Sequence, residues 1–206
     1  MGCSRHALVG VAFGQLVISQ QSDIVVVGVM LTTADAAIYG AASQLTLPLI
    51  LALSSVTYVA QSMIADVYSR DPQLLQSLVR AITWLTTGIG VPTGLGIILL
   101  GKFLLGLYGE GYAEGHLVLV VLVLAQLVVG MVGALAGYLM TMTAHEREAA
   151  WIIGLAAGLN LVLALVLTPM FGPLGTASAT LMAAVARAVA LSVYIRRTMG
   201  LRLLSF

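Results

Sequence analysis

The sequence predicts an all-α fold, a polytopic membrane helix bundle with six transmembrane helices. Three observations carry that prediction. The first is composition: of 206 residues, 60% are hydrophobic and 8% charged, where a soluble domain carries about 25% charged residues. The second is the spacing of those few charges. They leave uncharged runs from Ala36 to Ala65, Ala81 to Gly101, Leu117 to Ala144 and Ala149 to Ala186, and a helix needs about 20 apolar residues to cross the hydrocarbon layer. The third is an uneven distribution of the basic residues along the chain.

The elements follow in order. A first span at 8–31 contains Gln15, Gln20, Gln21 and Asp23; it is too long and polar for a signal peptide and has no clear cleavage site. Thr32, with Asp35 three positions on, forms a capping-box pattern with Asp in place of the usual Glu or Gln, and the second span follows at 38–64. Asp71-Pro72 marks a turn, Pro72 being suited to open a short helix before the third span at 80–103. Gly109 and Gly111 break the chain ahead of the fourth, at 117–142.

The last uncharged run is long enough for two spans if something divides it. Pro169 and Pro173 bracket Met170, Phe171 and Gly172. Proline lacks an amide donor and clashes with the preceding turn, and glycine permits the φ that ends a helix. Pro169 to Leu174 therefore reads as a tight hairpin loop between spans at 149–168 and 175–195. Residues 1–206 form a single transmembrane domain on this reading.

Lys and Arg favour the cytoplasmic ends of short loops. With six spans the termini share one side, which holds Arg5, Arg70, Arg80, Arg147, Arg196, Arg197 and Arg202; the other holds Lys102, beside Glu110 and Glu114. Both termini are expected in the cytoplasm. Several function classes are not expected. A phosphate-binding G-x-x-x-x-G-K-[ST] loop and an H-E-x-x-H motif are both missing from the sequence. His6, His116 and His145 form no metal spacing, and the single cysteine, Cys3, cannot make an intrachain disulfide. Basic residues are too sparse for nucleic-acid binding. No cofactor is called for, and bond-making chemistry is not expected.

The polar residues inside the spans are the candidate functional groups. An ionised carboxylate facing lipid is costly, so Asp23 faces protein, water or a headgroup. It is either a cavity residue that meets a substrate or coupling ion, with Gln20 about one turn away, or a structural partner for another span. Arg187 either snorkels to the interface or presents its rigid fork to an anionic headgroup or diphosphate. Asn160 and Gln126, deep in spans five and four, need partners if buried and are expected to bond between helices. Tyr39, Tyr58, Tyr68, Tyr108 and Tyr112 read as interfacial anchors. Pro92 is expected to kink span three, as a fixed bend or a hinge. The pairs Gly90/Gly94, Gly133/Gly137 and Gly154/Gly158 have the spacing of close-packing helix faces.

The stretches "SQQSDIVVVGVMLTTADAAIYGAASQL" and "GLNLVLALVLTPMFGPLGTASATL", with the Gly109-Glu110-Gly111-Tyr112 loop, resemble the C-terminal half of a bacterial polysaccharide-export flippase. That family lies within the larger group of multidrug, oligosaccharidyl-lipid and polysaccharide exporters. Asp23 matches the acidic residue in the first helix of the second lobe. Ala37, Tyr39 and Ala42 match the start of the next helix, and Asn160, Pro169, Phe171, Gly172, Leu174, Gly175 and Ala177 match a helix–hairpin–helix pattern.

The resemblance implies one lobe of a two-lobe fold in the bacterial inner (plasma) membrane. It implies a flippase that moves undecaprenyl-diphosphate-linked oligosaccharide by alternating access, with membrane lipids and a second six-to-eight-helix lobe as partners. Arg187 becomes a candidate diphosphate contact and Asp23 a candidate cavity residue. Six spans make one lobe and a central cavity needs two, so the second lobe lies in a longer chain or in a partner. Two other readings stand beside it: the lobe of a cation-coupled multidrug or small-molecule antiporter, for which Asp23 would serve ion coupling, and a non-transporting scaffold of polysaccharide assembly.

Overall fold

The computed structural model describes residues 23, 26–68, 72–109, 111–133, 136–137, 139–140 and 146–199. It is helical throughout the described residues. A helical turn at 26–30 is followed by α1 (Thr33–Leu45), α2 (Leu47–Tyr68) and α3 (Pro72–Gly106). A 3-10 turn (Tyr112–Gly115) then leads into α4 (His116–Val128), which runs on into a π-helical turn (Val129–Gly133). α5 (Glu146–Phe171) and α6 (Pro173–Met199) complete the bundle.

Five stretches are long and apolar enough to cross a membrane: Thr33–Ala60, Gln76–Gly106, Tyr112–Gly133, Glu146–Phe171 and Pro173–Thr198. They correspond to expected spans two to six. Most of the expected first span falls outside the described residues, as do Cys3, Arg5, His6, Gln20, Arg70, Glu110, His145 and Arg202.

Local chemistry sets the element boundaries. The Thr32 hydroxyl accepts from the Asp35 backbone N–H at 3.2 Å and donates to Asp35 Oδ2 at 2.7 Å, which caps α1 as expected. The second span is not one helix. Pro48 has no amide to give the Gln44 carbonyl, and α1 stops at Leu45; Thr46 closes it with its N–H on the Ser43 carbonyl at 3.1 Å, and α2 restarts. Pro72 opens a helix, as expected, but a long one: α3 is continuous with span three rather than preceded by a short separate helix.

The Pro169–Leu174 loop is corrected more sharply. Pro169 lies inside the last turn of α5, and the connection is Gly172 alone. Its φ of +60° is left-handed, and its N–H bonds the Thr168 carbonyl at 2.8 Å, an αL helix stop. Pro173, with no amide to leave unpaired, occupies the first position of α6. The buried Thr168 and Thr176 hydroxyls lie 2.8 Å apart across the joint.

Two apolar cores occupy opposite ends of the bundle. One gathers Leu49, Leu53, Ile97, Leu105, Leu119, Leu122 and Val123. The other gathers Ala60, Val79, Ile82, Leu139, Met140, Leu191 and Ile195. Helix packing relies on glycine where backbones approach. A Cβ on Gly90 would lie 2.9 Å from Leu53 Cδ2, and one on Gly94 would lie 3.2 Å from Val123 and Leu127. That pair is a packing face, as expected. Gly137 and Gly158 have nothing within 4 Å, so the other two pairs do not form continuous faces. Pro92 lies within unbroken α3 on its exposed side, away from the Gly90/Gly94 face.

Candidate functional site

Asp23 and Asn160, 137 positions apart, meet in the interior. Each is only 8% exposed. The Asn160 side-chain amide donates to Asp23 Oδ1 at 2.8 Å. From α6, the Thr180 hydroxyl lies 2.9 Å from Asp23 Oδ2 and 3.0 Å from the Thr176 carbonyl, so its single proton is shared between the two acceptors. The Tyr39 hydroxyl, from α1, faces the same carboxylate and the Thr180 hydroxyl. A small apolar layer of Val26, Ala164 and Ala179 packs beside the cluster. Four segments thus converge on one carboxylate.

One atom in this cluster is left over. Asn160 Oδ1 is buried and accepts no hydrogen bond. A buried polar atom without a partner costs about 1–3 kcal/mol. The local set consists of two carboxylate oxygens, an amide oxygen and two hydroxyls. These are hard oxygen donors, the type that suits small hard cations. Among the described residues no group of three His, Cys, Asp or Glu side chains has the arrangement of a metal site.

Arg187 stands seven residues beyond Thr180 on α6, about 10 Å further along the axis at 1.5 Å per residue. It lies between the two apolar cores by its position on the helix. Its Nε is buried without a partner, and among the described residues no carboxylate pairs with its guanidinium. Its flat head rests against Gly133, where a Cβ would lie 3.2 Å from Nη2 and 3.6 Å from Nε. Arg187 as a whole is half-buried, with its Nε enclosed beside Gly133.

The other expected residues divide. Gln126 is half-buried on α4, just before the π turn, and is not part of the Asp23 cluster. Gln20 lies outside the described residues. Tyr39 was expected as an interfacial anchor; it is 2% exposed and belongs to the cluster instead, which corrects that reading. Tyr58 and Tyr108 are exposed, and Tyr112 packs against Tyr108 with ring centroids 6.0 Å apart. The Tyr68 side chain is outside the described set. Sequence reasoning did not single out Thr180. The available signal was its place in "GTASATL", where Thr176 and Thr180 lie one turn apart on an otherwise small-residue face.

The sequence matches the protein family described as "Polysaccharide biosynthesis protein" over residues 10–116. That span is just over half of the chain. The chain belongs to that family. No curated protein and no solved structure matches the chain. The matched segment contributes Asp23 and Tyr39 to the cluster. Asn160, Thr180 and Arg187 come from the remainder. This member of the polysaccharide-biosynthesis family is helical over its described residues, and its five long apolar helices are consistent with a multi-pass membrane transporter.

Proposed function

We propose that the chain is one lobe of a membrane flippase that carries undecaprenyl-diphosphate-linked oligosaccharide across the bacterial inner membrane by alternating access. The observation that carries this reading is Arg187: a guanidinium held between two apolar cores, with a buried Nε and no carboxylate partner among the described residues. An arginine at this depth is costly unless it lines a cavity or meets an anion. In a family of polysaccharide biosynthesis, a diphosphate supplies oxygens that match its fork. The headgroup cannot cross hydrocarbon unaided. A polar cavity between this lobe and a second one replaces its water, while the prenyl tail stays in lipid.

The Asp23 cluster gives the same machine a place for a coupling cation. If the Asn160 amide turns, its unpaired Oδ1 faces the carboxylate. That sets acceptor against acceptor, and becomes favourable once a cation or proton sits between them. The same observation supports the antiporter reading, in which the cluster alone does the work and Arg187 is dispensable.

The test is export of surface polysaccharide in cells whose sole copy carries Arg187→Gln or Arg187→Lys, with membrane levels matched. Charge-assisted hydrogen bonds of about 1.5–3 kcal/mol translate into a loss of roughly 10–100-fold for Arg187→Gln. Arg187→Lys is expected to recover only part, because the ammonium lacks the fork. Normal export with both variants would remove the flippase assignment of this site. Normal export with Asp23→Asn as well would favour the scaffold.

A further inference from the structure

The π-helical turn Val129–Gly133 lies between the two cores. A π turn inserts one extra residue into an α-helix and lengthens its hydrogen bonds from i+4 to i+5. It is uncommon, occurs mostly as a single turn inside an α-helix, and is frequent at functional sites. Here both of its glycines are occupied from outside. A Cβ on Gly130 would lie 2.5 Å from Leu53 Cδ1, so the α2 leucine fills that position, wedged at the same time against Gly90. Gly133 is covered by the Arg187 guanidinium from α6.

The two seats depend on register. Removing the extra residue rotates everything beyond the turn by about 100° and shifts it by about 1.5 Å relative to the preceding helix. Leu53, bound near the start of the turn, keeps its seat on Gly130. Gly133, at its end, rotates away from Arg187. The guanidinium therefore has its glycine seat in the π register alone. An anion that draws the guanidinium off Gly133 removes the contact that favours that register, and the added backbone hydrogen bond then favours α.

We propose that Val129–Gly133 is a two-state element, π while Arg187 rests on Gly133 and α when an anion takes the guanidinium. Occupancy of the headgroup site is thereby converted into a rotation of the chain beyond Gly133. This inference rests on the reading of Arg187 as an anion contact.

The experiment is hydrogen exchange at the amides of residues 129–133 in the full chain in lipid nanodiscs. The probe is farnesyl diphosphate, with farnesol as the uncharged control and inorganic pyrophosphate to separate headgroup from tail. Binding of each is measured in parallel. Farnesyl diphosphate is expected to slow exchange at these amides about tenfold, by closing the turn into α. Farnesol should have no effect, and Arg187→Gln, checked for native thermal unfolding, should lose both binding and slowing. Pyrophosphate alone should act in the same direction at higher concentration. Arg187-dependent diphosphate binding without any change in exchange would overturn the switch and leave the anion site standing. Equal binding by wild type and Arg187→Gln, or none by wild type, would overturn the anion site and the switch together.

Discussion

Replacing Asp23 by Asn separates the structural role of the buried cluster from its ionic one. The amide has the shape of the carboxylate and none of its charge. One of its two terminal atoms becomes an NH2, which cannot accept from Asn160. The structure already holds the remedy: Asn160 Oδ1 is unpaired, so a turn of the Asn160 amide lets it accept from the new NH2. Thr180 can still donate to the remaining oxygen, now 2.9 Å away in the carboxylate form. Two hydrogen bonds to a charged group, about 1.5–3 kcal/mol each, become two neutral ones of about 0.5–1.5. The loss is about 2–3 kcal/mol, and nearer 1 on the lower values measured between membrane helices.

Asp23→Asn should therefore fold and reach the membrane. What it should lose is response to cations. A cation held in the cluster at ten times its dissociation constant stabilises the wild type by about 1.4 kcal/mol. The assay is thermal unfolding of the full chain in nanodiscs, with sodium replaced by choline at fixed ionic strength, and then with acidic and alkaline buffer at fixed sodium. The wild type should shift in at least one of the two series, by roughly 3–6 °C for a chain of this size, and the variant should be flat in both. If wild type and variant respond alike in both series, the cluster is a structural joint and the coupling argument is wrong.

Other expectations concern the scaffold. Gly175→Ala should prevent the α5–α6 hairpin from closing, because the new Cβ would overlap the Leu167 carbonyl oxygen; a loss of folded protein in detergent extracts is the readout. Gly158→Ala, with nothing within 4 Å of the added carbon, should instead be neutral or stabilising by up to about 1 kcal/mol, and a marked destabilisation would mean that this face is covered in the membrane. Thr32→Ala should cost about 1 kcal/mol through loss of the α1 cap, visible as a lowered unfolding temperature and corrected in part by Thr32→Ser.

The spans after the first were legible because charge is so rare here that its gaps delimit them. Their ends were less so. Proline was the misleading signal in both directions. Pro169 lies inside α5, which runs two residues past it to the αL stop at Gly172. Pro48, passed over inside a span, divides α1 from α2. Asp23 announced itself as an intramembrane carboxylate, but its partners lie 137 and 157 positions away, and no local pattern encodes such distances. Tyr39 misled because an aromatic at the start of a span serves equally well as an interface anchor or as a donor to a buried acid. The π turn left no trace, since an apolar run with two glycines is compatible with either helical register.

The joint between α5 and α6 is a single residue. Two long helices linked through Gly172, with Thr168 and Thr176 bonded across the corner, have almost no freedom to part at that end. They form a lever with one stiff corner, and Asn160 and Thr180 ride on its two arms. On the proposed transport reading, access to the cluster between them is controlled from the two segments not tied to the lever, those carrying Asp23 and Tyr39. A working stroke would slide the acid out from between two fixed donors rather than pull the donors apart. A staple locking α5 to α6 near Gly172 should leave transport intact, whereas one tying the Asp23 segment to either arm should arrest it.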